Sequence, residues 1–139
     1  MIKSKSRYFV CYILAIIFNC APIHGATLVV PDNYKTIQAA INAASWGDAI
    51  IVEDGVYTGA ENRNISFNGK ILTLKSRNGQ EHTTIDCQYL DRGFTLTQNE
   101  GDKTIIDGFT IQNGYGAEGG GGIYCKNSSP SIKNCRAWF

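Results

Sequence analysis

Two hydrophobic periods divide the chain. In Thr36 to Ala44 (TIQAAINAA) the apolar residues Ile37, Ala40, Ile41 and Ala44 recur at i, i+3, i+4 and i+7. That spacing predicts a short helix with one apolar face. Thr36 is its expected N-cap and Gly47 its expected stop, after a turn over Pro31 to Tyr34. Beyond Gly47 the period becomes two, the mark of strands with one inward and one outward face.

The strand pattern repeats. AIIVEDG, KILTLKS, RGFTLTQ and GGIYCKN read as one strand seen four times. Ile50, Leu72, Phe94 and Ile123 align at spacings of 22, 22 and 29, and Val52, Leu74, Leu96 and Cys125 follow in step. The longer interval contains the glycine-rich stretch Gly114 to Gly122, read as a flexible inserted loop. A second series runs through Ile65, Ile85 and Ile106, with Asp86 and Asp107 at matching places. Ile132 falls 26 residues after Ile106 or 21 after Ile111, and the pattern leaves both registers open. Two interleaved series with a shared period of about 21 predict a solenoid with at least two strands per turn. The expected fold is all-β: a parallel β-helix of about four coils of ~21–22 residues, closed at its start by the amphipathic helix.

This register also assigns faces. Ile50, Leu72, Phe94, Ile123 and the Val52 to Cys125 row point inward. Ile51, Thr73, Thr95, Tyr124 and the row Glu53, Lys75, Thr97, Lys126 point outward. Glu53 and Lys75 are then expected cross-strand neighbours.

Composition changes the picture at one end. The 139 residues carry 13 Lys+Arg against 12 Asp+Glu, a net charge of +1, with 43% apolar side chains. That balance gives no nucleic-acid footprint and does not suit a disordered chain. Lys3, Lys5 and Arg7 precede an apolar run from Tyr8 to Cys20, as in a secretory signal. We therefore expect residues 1–26 to be a signal peptide and 27–139 the cap and first coils, secreted or at the cell surface. An uncleaved anchor, or lipid attachment at Cys20, are the other readings of that run. At 13 residues the run is shorter than the ~20 that span a membrane. Cleavage leaves 10 basic against 12 acidic residues, so the exported part is slightly acidic at −2. It also leaves three cysteines: Cys87 and Cys125 are expected inward as buried thiols, with a Cys125–Cys135 disulfide as the alternative.

The segment TIQAAINAASWGDAIIVEDGVYTG resembles the N-terminal cap and first coil of right-handed parallel β-helix proteins of the pectin-lyase-like superfamily. TIIDGFTIQNG and GGGGIYCKNSSPSIKNC resemble repeats of secreted bacterial β-helix proteins. GGGI is similar to the GGAI half of polymorphic outer-membrane repeats, without the FxxN partner. The resemblance covers residues 27–139 and implies an exported right-handed coil of many more turns. Nothing in the tail Arg136 to Phe139 reads as a closing cap, so the chain is expected to be an N-terminal fragment, with self-association through its uncapped end. Gly55 to Gly59 (GVYTG) resembles a segment of pectin methylesterases, but their catalytic motifs are not found here.

No catalytic set emerges. Calcium needs several converging oxygens, and the outward rows offer one acid, Glu53, among Ile, Thr, Tyr and Lys. Asp86 and Asp107 are the nearest approach to the paired acids of a glycosidase, with a structural role at turns as the simpler reading. Asp91-Arg92 reads as a surface ion pair, and His82 as a solvated loop residue. No cofactor is implied. Tyr124, Lys75, Lys126 and Glu53 are the expected polysaccharide contacts: the ring to stack on a sugar, the lysines to meet uronate carboxylates. The expectation is a non-catalytic adhesive, structural or polysaccharide-binding segment. The alternative is the front of a pectin-type lyase or hydrolase whose catalytic coils lie outside this chain.

Overall fold

The computed structural model describes residues 25–138. The expected signal segment lies outside them but for Gly25 and Ala26. Among the described residues eleven short strands, one α-helix and a 3-10 turn at Ala60–Asn62 make up the fold: β1 Thr27–Val30, α1 Ile37–Ala43, β2 Ala49–Val52, β3 Gly55–Tyr57, β4 Thr73–Ser76, β5 Thr83–Asp86, β6 Phe94–Leu96, β7 Ile105–Asp107, β8 Thr110–Gln112, β9 Ile123–Cys125, β10 Ser131–Lys133 and β11 Arg136–Trp138. All pairings are parallel. Sheet A runs β1-β2-β4-β7-β10, sheet B β3-β5-β8-β11 and sheet C β6-β9. Ile65 extends sheet C by a bridge to Phe94. The result is a β-solenoid of about four turns, as the repeat predicts.

The register differs from the equal spacing read along the chain. Leu28, Ile50, Leu74, Ile106 and Ile132 stack in sheet A, at intervals of 22, 24, 32 and 26 residues. Ile132 therefore follows Ile106, not Ile111. Phe94 and Ile123, aligned above with Ile50, belong to sheet C. Ile65, Ile85 and Ile106, read as one series, lie on three different sheets. The cause is the variable length of the corners. Two residues join β2 to β3 and β7 to β8, six join β4 to β5, and ten join β8 to β9. Each strand carries the same alternation, so a fixed step of ~21 finds an apolar match on whichever sheet it meets.

Inward residues from all three sheets fill one core. Phe67, Phe94 and Phe109 are fully buried with Ile50, Leu74, Ile85 and Ile106. Phe94 and Phe109 meet edge to face at 6.3 Å. Each such side chain contributes roughly 1.5–3 kcal/mol by leaving water. Inward direction gives burial only where a coil lies on either side. Cys125 pairs with the buried Leu96, yet is exposed, because no described strand of sheet C covers it. Ile132, at the same end, is 43% exposed.

The opposite end is closed by α1. Ile37, Ala40, Ile41 and Ala44 face the core, as their spacing predicts. Thr36 caps the helix, its Oγ1 accepting from the Ala39 N–H. The stop comes at Ala44, whose extended backbone ends the helix before Gly47. Gly47 instead turns the chain into β2 at φ 87°. Lys70, from the next coil, replaces the missing donors at the helix C-terminus. Its Nζ donates to the carbonyls of Ile41, Asn42 and Ala44, each at 2.9 Å. At the other end, buried Asn62 accepts from the Ile37 N–H. Strand β1 precedes the cap and had no counterpart in the repeat pattern. It adds one more strand to sheet A, beside β2.

Candidate functional site

Two surface hollows lie at the corners where the coil passes from one sheet to the next. The first, of about 480 Å³, lies at the A–B corner over the turn 77–82 and is lined by Lys75, Asn78, His82, Asp107 and Asn134, among others. The turn folds here because Ser76 Oγ accepts from the Gly79 N–H at 3.0 Å. Gly108 lets the next coil approach: a Cβ there would lie 2.4 Å from Ser76 Oγ.

The acids around this corner are already engaged. Arg77 holds both oxygens of Glu53, with Nη2 to Oε1 at 2.6 Å. Asn78 donates to both oxygens of Asp54, Asn134 to Asp107 at 2.8 Å, and Arg136 to Glu81 at 2.7 Å. The Arg77 hydrogen bond also holds the Glu53 carboxyl below its ordinary range. The expected neighbours Glu53 and Lys75 are thus separated by the true register, which gives Glu53 to Arg77. Lys75 lies between Ile51 and Asp107 on the outward face of sheet A.

Asp86 and Asp107 do not form a pair. Asp86 belongs to sheet B and Asp107 to sheet A. Asn113, the Gln88 N–H and Gln112 all donate to Asp86, and these bonds lower its pKa. These bonds make it a ladder residue between coils. Among the described residues no three His, Cys, Asp or Glu side chains converge on one point. Cys87, Cys125 and Cys135 are free thiols, so the Cys125–Cys135 bond is not formed. Their register separates them: Cys125 ends a sheet C strand, and Cys135 sits at the A–B corner before β11. Burial pushes the Cys87 thiol up to about 11, which keeps it protonated and unreactive at neutral pH.

The second hollow, of about 320 Å³, lies at the B–C corner, where residues 87–93 and 113–122 of successive coils stack. Leu90, Asp91, Arg92, Tyr115 and Glu118 line it. The glycine-rich loop is folded against the coil below. Tyr115 N–H donates to the Asp91 carbonyl, Gly119 N–H to Gly116, and Arg92 Nε to the Gly119 carbonyl at 3.3 Å. Gly116 makes room for the guanidinium, since a Cβ there would come within 2.9 Å of Arg92 Nε. Arg92 lies 4.5 Å above the ring of Tyr124. It makes no ion pair with Asp91, whose Oδ1 instead accepts the Arg92 backbone N–H at 2.8 Å. Among the described residues the Arg92 Nη atoms have no protein acceptor. Tyr115 is 57% exposed, and Tyr89, on the same corner, 68%.

The structure therefore divides the four expected polysaccharide contacts. Lys75 lies on sheet A with Glu53 just past the end of β2, and Tyr124 and Lys126 lie at β9 and just beyond it on sheet C. Tyr124 is half-buried with Arg92 over its ring, whereas Tyr89, Tyr115 and Leu90 are the exposed apolar side chains of this corner. None of these three stands out in the apolar alternation of the strands. The signal available was a pair of tyrosines at non-strand positions, 26 residues apart, matching the step from Asp86 to Gln112.

No protein family, curated protein or solved structure matches this chain. Among the described residues no helix is long and apolar enough to cross a membrane.

Proposed function

We propose that these coils form a non-catalytic, exported β-helix segment that binds polysaccharide. The observation that carries this reading is the B–C hollow. It combines exposed Tyr115 and Leu90 with two carboxylates, Asp91 and Glu118, and a guanidinium edge at Arg92 that has no acceptor among the described residues. Flat apolar surface beside convergent polar groups suits a sugar, which has an apolar C–H face and a rim of hydroxyls. A coil that repeats parallel to itself also presents groups at intervals of about 4.8 Å, which suits an extended polymer. Export is supported by the basic and apolar N-terminal sequence, and the pectin-lyase-like resemblance is in keeping with a glycan ligand.

The non-catalytic part rests on the acids. At the A–B corner each carboxylate is held by an arginine or an asparagine, and Asp86 and Asp107 stand on separate sheets. Neither arrangement leaves a general acid and base facing one bond. The test is incubation of the purified protein with insoluble pectin and with insoluble neutral polysaccharides, measuring retention, reducing ends and unsaturated uronides. Retention without products is expected. Products above a heat-inactivated control would establish the lyase or hydrolase reading instead, and absence of retention on any polysaccharide would overturn binding.

A further inference from the structure

We infer that the B–C hollow is a subsite for a neutral pyranose, a hexose without a carboxylate, in the glycan this segment binds. The inference rests on the polysaccharide-binding reading and adds the location and the class of sugar.

The charge of the hollow selects the class. Two carboxylates, Asp91 and Glu118, line it beside one guanidinium. A uronate would bring a third negative charge toward one positive group, and the attraction to Arg92 would be offset by repulsion from both acids. A neutral sugar suits all three. Its hydroxyls donate to carboxylate oxygens and accept from the Arg92 Nη atoms, bonds that are stronger for having a charged partner. Tyr115 and Leu90 then meet the C–H face of the ring.

The hollow is also organised before any ligand arrives. Arg92 is fixed between the Tyr124 ring at 4.5 Å and the Gly119 carbonyl at 3.3 Å. Those two contacts use its face and its Nε, and leave its terminal nitrogens to the hollow. Tyr124 is thus a positioning residue for Arg92 rather than the stacking surface itself. Tyr115 is positioned by its own N–H, which bonds the Asp91 carbonyl at 2.9 Å. Less ordering is needed on binding when such groups are held in advance. The A–B corner differs, because its arginines are spent on Glu53 and Glu81 and its remaining acids, Asp54 and Asp107, are held by asparagines.

Isothermal titration with cellohexaose, mannohexaose, galactohexaose and hexagalacturonate tests the inference. At least one neutral hexasaccharide should bind, and hexagalacturonate should bind at least about tenfold more weakly. Tyr115→Ala and Arg92→Gln should each weaken the neutral ligand about tenfold or more. Tyr124→Leu, which removes the ring that holds Arg92, should weaken it less. Glu118→Ala, on an exposed loop, serves where another variant does not fold, and should weaken neutral binding several-fold. Preference for hexagalacturonate would overturn the class of sugar while leaving polysaccharide binding intact. Neutral binding unchanged in Tyr115→Ala or Glu118→Ala would overturn the location. No binding by any ligand would overturn this inference, and retention on insoluble polysaccharide would then show whether the broader reading survives.

Discussion

The A–B and B–C corners are built alike and left in different states. Each joins two parallel sheets, each carries acids and an arginine, and each needs a glycine where coils come close. At the A–B corner Arg77 meets Glu53, Arg136 meets Glu81, and amides hold Asp54 and Asp107. At the B–C corner Arg92 stacks on Tyr124, makes no ion pair among the described residues, and stands beside exposed Tyr115. The contrast separates polar groups that complete the fold from those still available to a ligand. Charge alone would have drawn attention to the A–B corner, whereas pairing points to the other.

Substitutions can break this contrast or sharpen it. The largest effect is expected from Gly93→Val at the B–C corner. A Cβ there would sit 2.6 Å from Ile111 Cγ2 and 2.7 Å from the Gly122 carbonyl of the next coil. The backbone cannot yield cheaply, and a loss of about 3 kcal/mol is expected in thermal unfolding followed by circular dichroism.

Glu100 comes next, at the corner leading back to sheet A. It is 1% exposed, and its carboxylate accepts from the Gly69 N–H, the Gln98 N–H and Ser128 Oγ, so it ties three coils together. Burial opposes its ionisation, but these bonds outweigh burial and hold its pKa below the ordinary 4.5. A lowered folded pKa stabilises above the unfolded value and is lost as pH falls through the folded one. Acid unfolding below about pH 4.5 should therefore be shallower in Glu100→Gln. At pH 7 the same variant points an amide at N–H donors and should lose roughly 1–3 kcal/mol. Equal acid sensitivity in the two proteins would remove Glu100 from the account.

Thr83→Val acts in the opposite direction. Thr83 is fully buried beneath the A–B corner, and among the described residues its Oγ1 has no hydrogen-bond partner. An isosteric methyl removes that unsatisfied oxygen, and a gain of about 1 kcal/mol is expected in urea unfolding. The smallest effect belongs to Glu53→Gln. Its ion pair with Arg77 is short but solvent-exposed, and the melting temperature should not move measurably.

How much of this was legible in the sequence follows from what sets each feature. The helix was legible because Ile37, Ala40, Ile41 and Ala44 carry a period no strand shares. The parallel solenoid was legible because strands with the same alternation return again and again. The register was not. Residues 77–82 add four to one corner and 113–122 add three to another, and both insertions are polar or glycine-rich. Nothing in the apolar pattern says to which sheet the following strand returns. That error paired Glu53 with Lys75 and placed Asp86 beside Asp107. The exposure of Cys125 was hidden for a different reason: direction is local, but burial depends on the coil above. The B–C hollow was hidden because its parts, Leu90, Arg92, Tyr115 and Glu118, sit on loops of two successive coils. Their meeting depends on the folded register and on Gly116 making room for Arg92.

The contrast between corners is tested most directly by mapping amide chemical shifts while the neutral hexasaccharide that binds most tightly is added. The account predicts shifts clustered at residues 89–92, 115–119 and 124, with residues 77–82 and 107–108 unmoved. Shifts centred on the A–B corner, or spread evenly over the outward face of sheet A, would contradict it.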